Sequence, residues 1–229
     1  MILVVDGKSV TSNLYYNITM PKILPFQKYT ARYEKWFEDN YWVYQAELKA
    51  VKSLLPEEQY GVEIGIGTGR FAEPLEIKIG VEPSSHMRDL AQKRGIKVLD
   101  GVAERLPFKN SIFKFVLMVT TICFVDDINK AFEEAFRILA KGGYLIIGLV
   151  DRDSPVGQIY LRHQNNNVFY KEAAFYSVEE VLEIMRRTGF DDFNFCQTIF
   201  GNLSEITEHE DIKSGYGEGS FVVIRGKKK

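Results

Sequence analysis

The stretch Val62-Glu63-Ile64-Gly65-Ile66-Gly67-Thr68-Gly69-Arg70-Phe71 constrains the fold more than any other part of the chain. Residues Gly61 to Ile64 read as a short buried strand, and three alternate glycines follow it directly. Glycine adopts φ > 0 without strain and has no Cβ to hold a ligand away from the main chain. A buried strand, a glycine turn and a short helix from about Arg70 open a doubly wound α/β sheet, where ligands bind at the carboxyl ends of the strands. By itself the triplet leaves open a tight turn that binds nothing.

The pattern continues in the same sense. Ile77 to Val81 reads as a second strand, Ser84 caps a helix that carries Met87, Leu90 and Ala91 and ends at Gly95, and Ile96 to Leu99 reads as a third strand. Strand, helix, strand implies a parallel pair with a crossover. Phe113 to Val119 is a nearly unbroken apolar run, as a central strand buried on both faces requires. Asp126 or Asp127 then starts a helix with Ile128, Ala131, Phe132, Ala135, Phe136 and Leu139 on one face, and Gly142-Gly143 is expected to stop it. Tyr144 to Val150 is the fifth strand, and a polar, tyrosine-rich loop follows. Ser177 and Glu180 form a capping box for a helix closed by Gly189. Phe193 to Phe200 and Ser220 to Ile224 follow without an intervening helix, which favours an antiparallel hairpin at the sheet edge.

The expected architecture is therefore a Rossmann-like, mostly parallel seven-stranded sheet with helices on both faces. Before the glycine turn, Tyr33, Trp36, Phe37, Tyr41, Tyr44 and Leu48 recur three or four residues apart, the spacing of helices with one apolar stripe. Two readings stand for this helical cap, over residues 28–56: core packing, or a lid over a pocket. Residues 1–27 read as an arm or small hairpin, from Ile2 to Val5 and an Asp6-Gly7 turn signal, and 28–229 as one domain with a substrate-side loop at 151–176.

With 229 residues, 45% of them hydrophobic, one sizeable core is expected. Twenty-nine basic against 31 acidic residues leave a net charge of −2, without the broad positive field that nucleic acid binding requires. Cys123 and Cys196 sit in apolar segments and read as buried thiols of a reducing compartment. The three histidines show no metal-ligand spacing, so no metal is expected. No run approaches the roughly 20 apolar residues of a membrane span and the start lacks the pattern of a signal peptide, so a cytoplasmic monomer or homodimer is expected.

Glu82 ends the second strand 17 residues after Gly65, near the offset of about 20 at which an acidic side chain accepts from ribose hydroxyls. Arg70 stands where a dinucleotide fingerprint has its last small residue, so the ligand reads as a nucleoside without a pyrophosphate. On these residues, together with Gly80-Val81-Glu82-Pro83-Ser84, Gly101-Val102-Ala103-Glu104-Arg105-Leu106-Pro107-Phe108, Phe113-Lys114-Phe115-Val116 and Leu139-Ala140-Lys141-Gly142-Gly143, the chain resembles the class I S-adenosylmethionine-dependent methyltransferases, small-molecule branch, from about Tyr33 to Ile224.

The resemblance implies S-adenosylmethionine as cofactor. It places Gly65, Gly67 and Gly69 along the methionine and ribose, Glu63 as anchor of the glycine loop or, through water, of the amino group, and Glu82 on the two ribose hydroxyls. Pro83 and Met87 would pack on the adenine face, and the backbone near Gly101, Val102 and Ala103 would meet its edge. Many relatives have an aspartate where Val102 stands; here Glu104, a backbone carbonyl or water would take its place. Thr120 would face the methionine moiety.

The acceptor pocket is expected between the aromatic N-terminal helices, with Tyr33 and Trp36, and the loop after the fifth strand, with Tyr160 and Tyr170. Asp151, Tyr160 and His163 are the candidates for a proton acceptor, which is needed only if the acceptor must lose a proton early. After the fourth strand stands Thr120-Thr121-Ile122-Cys123, which lacks the Asn/Asp-Pro-Pro-aromatic motif of enzymes that methylate adenine or glutamine and the Pro-Cys of those that attack cytosine C5. Both absences favour a small acceptor, methylated at N or O. A non-catalytic nucleoside-binding regulator and a nicotinamide-dependent dehydrogenase are the remaining readings.

Overall fold

The computed structural model describes residues 22–57 and 60–229, so most of the expected N-terminal arm lies outside the described residues. Strands β1 (Gly61–Ile64) and β4 (Phe113–Val119) occupy the ranges of their apolar runs. They sit at the centre of one sheet with β2 (Ile79–Val81), β3 (Lys97–Leu99), β5 (Leu139–Val150), β6 (Phe190–Thr198), β7 (Lys213–Ser214) and β8 (Phe221–Lys228), in the order β3-β2-β1-β4-β5-β8-β6-β7. The first five strands are parallel, and β8 runs antiparallel between β5 and β6. The two-residue β7 extends the edge one strand beyond the seven expected. The chain winds outward from β1 through β3 and returns to β4, so the switch point lies between the carboxyl ends of β1 and β4.

Alternation along β4 builds two cores. Val116 and Met118 face α5 (Ile128–Ile138) and α7 (Val178–Thr188), which contribute Ala131, Phe132, Val181 and Met185. Phe115, Leu117 and Val119 face the other way, onto α3 (Tyr41–Leu54) and α4 (Ser85–Lys93), with Val43, Ala50, Val51 and Ala91. Period-two strands thus meet period-3.6 helices on both faces. Three caps match the expected ones: Ser84 accepts from the Met87 amide, Asp127 from the Asn129 and Lys130 amides, and Ser177 with Glu180 closes a capping box ended by Gly189 at φ 108°.

Other expectations are corrected. No helix starts at Arg70: residues 70–76 form turns, because Gly69 and Glu76 take positive φ and Pro74 has no amide hydrogen to donate. Gly142-Gly143 does not stop α5. The helix ends at Ile138, Leu139 already belongs to β5, and the glycines make an irregularity in the β4–β5 register, with Gly142 at φ 75°. The loop after β5 contains α6 (Pro155–His163), capped by Ser154 with proline in its first turn. Tyr41 is exposed rather than part of the buried stripe. Helix α1 (Leu24–Lys28) precedes α2 (Thr30–Asp39) and α3, so helical chain begins four residues before the expected cap.

Candidate active site

The glycine turn is built by left-handed backbone. Gly65, Gly67 and Gly69 have φ of 66°, 56° and 86°. A Cβ on Gly65 would lie 2.3 Å from Thr121 Cγ2, and one on Gly67 would lie 3.1 Å from the Tyr33 hydroxyl, so any side chain there meets both strain and contact. The turn borders a cleft at the switch point, lined also by Glu82, Pro83 and Met87 after β2, by Gly101, Val102, Ala103 and Glu104 after β3, and by Thr120 and Thr121 after β4. Helix α1 covers it with Phe26, and α2 with Tyr33.

Glu82 is buried at the end of β2. Its Oε2 accepts from the Gly67 amide at 3.0 Å and its Oε1 from the Ser84 amide at 2.9 Å. Burial pushes the carboxyl up to about 7 against these stabilising amides. Each carboxylate oxygen can accept more than one hydrogen, so Glu82 keeps capacity for two hydroxyls. Glu63 stands behind the turn, fully enclosed. The Ala72 amide donates to its carboxyl, while Oε2 has no partner among the described residues, and burial holds the group well above the usual carboxylate range. Thr120 takes φ 49°, an uncommon conformation for threonine, at the carboxyl end of β4.

Beyond this cleft lies a second cavity of ≈ 280 Å³. The two share Phe26, Tyr33, Thr120 and Phe124 as a common wall. Half of the other residues that line the second cavity are aromatic, among them Trp36, Tyr160, Phe169, Tyr170 and Phe175. The rings of Tyr160 and Tyr170 lie 4.9 Å apart, and those of Phe26 and Phe124 4.7 Å apart, edge to face.

The model of a family described as a methyltransferase domain matches residues 62–147, the span from the glycine turn to β5. A crystal structure of an S-adenosylmethionine-dependent methyltransferase from Thermotoga maritima, described as a possible histamine N-methyltransferase, is 56% identical, with a TM-score of 0.89 over 91% of this chain and 100% of that one. The chain belongs to the S-adenosylmethionine-dependent methyltransferases. An uncharacterised protein of Methanocaldococcus jannaschii is 45% identical over 89% of this chain and 98% of its own length. A demethylmenaquinone methyltransferase of Chlorobaculum tepidum is 30% identical over 61% of each chain.

The cofactor of this methyltransferase is S-adenosylmethionine, and the cleft suits it: a glycine turn that excludes Cβ atoms, an acidic strand end with free acceptor capacity and an orphaned buried carboxyl oxygen behind the turn. Of the residues expected around the cofactor, Gly65, Gly67, Glu82, Pro83, Met87, Gly101, Val102, Ala103, Glu104 and Thr120 line the cleft. Gly69 does not. It lets the turn pack on α4 and β3, since a Cβ there would lie 2.7 Å from Ile96 Cδ1. Glu63 is also outside the lining and supports the turn from behind.

Four side chains singled out in the sequence have defined places in the structure. The Glu104 carboxylate is engaged by the Asp126 and Asp127 amides, at 2.6 and 3.1 Å, and so anchors the start of α5. Asp151 lies in neither lining; its carboxylate accepts from the Asp153 and Val178 amides and fixes the turn into α6 and α7. His163 is exposed at the end of α6. Arg70 turns toward α2, where its Nη2 reaches Glu34 Oε2 at 2.7 Å. Tyr33, Trp36, Tyr160 and Tyr170 all line the second cavity.

Sequence reasoning missed two carboxylates. Glu34 also accepts from Arg94 Nη2 at 2.7 Å and from the Thr68 hydroxyl, which pins α2 to the glycine turn. Glu47 lies in the second cavity. It falls three residues after Tyr44 and one before Leu48, beside the apolar stripe, a spacing that does not by itself set it apart from a solvated helix position.

Proposed function

We propose that this methyltransferase transfers the methyl group to a nitrogen or oxygen of a small molecule held in the aromatic cavity, by direct displacement. The observation that carries the reading is the shared wall. A molecule in the second cavity is separated from the cofactor cleft only by Phe26, Tyr33, Thr120 and Phe124, so donor and acceptor can meet in one enclosure. The description of the Thermotoga maritima relative as a possible histamine N-methyltransferase supports a nitrogen acceptor of this size.

The cofactor supplies a methyl group already activated by its sulfonium. The chain's own part is then binding, alignment and exclusion of water, and alignment of two reactants can lower a barrier by about 7–11 kcal/mol. Glu82 would accept from the ribose hydroxyls, Gly65 and Gly67 would let the ligand lie on the backbone, and Pro83 and Met87 would pack on the adenine. Glu104 accepts both amides on Oε1, so its Oε2 and the carboxylate of Asp126, both from lining residues, would be the acceptors at this end of the cleft. Cys123, the cysteine in the lining of the second cavity, is not set up to relay the methyl. Burial pushes the Cys123 thiol up to about 12, and its Sγ is occupied with the Thr120 carbonyl at 3.3 Å. The Tyr33 hydroxyl, raised far above its ordinary value by burial and by the charges of Glu63, Glu82, Glu34 and Glu47, stays protonated and would be available as a hydrogen-bond donor.

Calorimetric titration with S-adenosylmethionine and S-adenosylhomocysteine tests the donor half. Binding in the wild type and its weakening in Glu82→Ala and Gly67→Val are expected. Transfer of a labelled methyl group to a panel of small amines and phenols tests the acceptor half. A folded protein that binds the cofactor yet methylates no member of a broad small-molecule panel, while modifying protein or RNA extracts, would refute the small-acceptor reading.

A further inference from the structure

Glu47 is the unusual member of the acceptor cavity. It is 6% exposed, and burial is the one influence on its carboxyl, with no hydrogen bond or ion pair to it among the described residues. Burial alone raises it to about 8, with no neighbouring cation to offset the loss of water. An unpaired carboxyl in an apolar wall is destabilising, and a leucine at this place in α3 would serve the core better. A ligand explains its presence.

The other groups around it have a consistent character. Tyr33 from α2, Tyr160 from α6 and Tyr170 from the following loop all feel the Glu47 charge, and each is raised, burial being the largest cause. Cys123 adds a neutral thiol to the lining. Arg32, the single lysine or arginine among the described lining residues, is exposed at the rim with its guanidinium 5.9 Å from the Phe169 ring. The interior therefore presents aromatic faces and one acid, and both attract a cation.

We propose that Glu47 anchors an ammonium group of the methyl acceptor, so that the acceptor is a small amine whose methylated atom is separate from its cationic one. This rests on the reading of the cavity as the acceptor site. The separation follows from placement: Glu47 belongs to the acceptor cavity alone, whereas the wall shared with the cofactor cleft is made by Phe26, Tyr33, Thr120 and Phe124. An ammonium held at Glu47 leaves the other end of the molecule to reach that wall. On binding, the neutral carboxyl gives its proton to solvent and becomes the carboxylate of an ion pair, while the ammonium keeps its own protons.

The test is calorimetric titration at pH 7, with and without S-adenosylhomocysteine, of a panel of arylalkylamines such as tyramine, each paired with its neutral alcohol isostere such as tyrosol. Wild type is expected to favour at least one amine over its isostere by about tenfold or more, as a charge-assisted contact gives. Proton release, read from the heat in buffers of different ionisation enthalpy, should accompany it. Glu47→Gln and Glu47→Leu are expected to lose both the preference and the proton release while binding S-adenosylhomocysteine as the wild type does. Equal binding of amines and isosteres across the panel, or a preference that survives in both variants, overturns the assignment. Failure to bind S-adenosylhomocysteine would instead strike the donor-site reading, and the titrations without it still decide the role of Glu47.

Discussion

On the proposed reading, Glu82 is the side chain that links the fold to the cofactor. Its two oxygens already fix the Gly67 and Ser84 amides, and what remains of its acceptor capacity faces the cleft. Protonation removes a lone pair and adds a hydrogen, so the ionised form is the better partner for two hydroxyls. Because burial places this carboxyl at about 7, the affinity for S-adenosylhomocysteine is expected to rise up to about tenfold between pH 6 and 8, following the ionised fraction. Titration across that range checks it; a flat profile in the wild type, or the same slope in Glu82→Gln, would contradict the assignment. Glu82 was legible in the sequence because an acid at a strand end has few structural reasons to be there. Glu47 was not, because a carboxylate within an aromatic stripe looks like an ordinary solvated helix position until the cavity beside it is seen.

Among the elements, the N-terminal helices depend on a network rather than on their own length. The first, α1, has five residues, too few to be stable alone, and is held by Gln27, whose Oε1 accepts from the Ser84 hydroxyl at 2.7 Å and whose Nε2 donates to the Ser85 hydroxyl at 2.9 Å. Helix α2 is held by Glu34, which gathers Arg70, Arg94 and Thr68 from the glycine turn and the end of α4. Glu34→Ala leaves two half-buried guanidinium groups without this carboxylate. A loss of about 2–3 kcal/mol in stability is expected. Amide exchange should speed up in residues 24–39 more than in α5, and the cofactor should bind more weakly; equal protection in both regions would show that the network holds nothing in place. Strand bounds were legible where runs were continuously apolar, as in β1 and β4. They were displaced where a glycine serves packing rather than termination, as at Gly142-Gly143, and α6 went unread although Ser154-Pro155 carries its cap and first turn.

At the scale of the whole molecule, three glutamates are buried among the described residues, Glu47 at about 8, Glu82 at about 7 and Glu63 well above its ordinary value, and burial raises the carboxyl of Asp151 in the same sense. All three bind a proton more tightly folded than unfolded. Their contribution to stability is complete below about pH 4.5 and is lost as pH rises through 7 to 8. Glu34, Glu134 and Glu180 are shifted down and act in the opposite sense at lower pH, so the cofactor-free protein should be most heat-resistant near pH 5 to 6 and lose several degrees by pH 8.5. Thermal scans check this, and a melting temperature that rises over that interval would count against three proton-holding carboxyls. The doubly wound sheet was legible because each strand and helix buries its own face; the roof over the site was less so, because it forms only when α1 and α2 meet the glycine turn. That roof has a consequence for how such an enzyme can diverge. On the proposed reading of the second cavity as the acceptor site, Phe26 and Tyr33 border both spaces, so substitutions there would retune both affinities at once, whereas Leu149 and Phe175 border the second cavity and not the cofactor cleft and would vary with the substrate. New acceptors are therefore reached most readily through the floor and the α6 side, with the roof as the slowest part of the site to change.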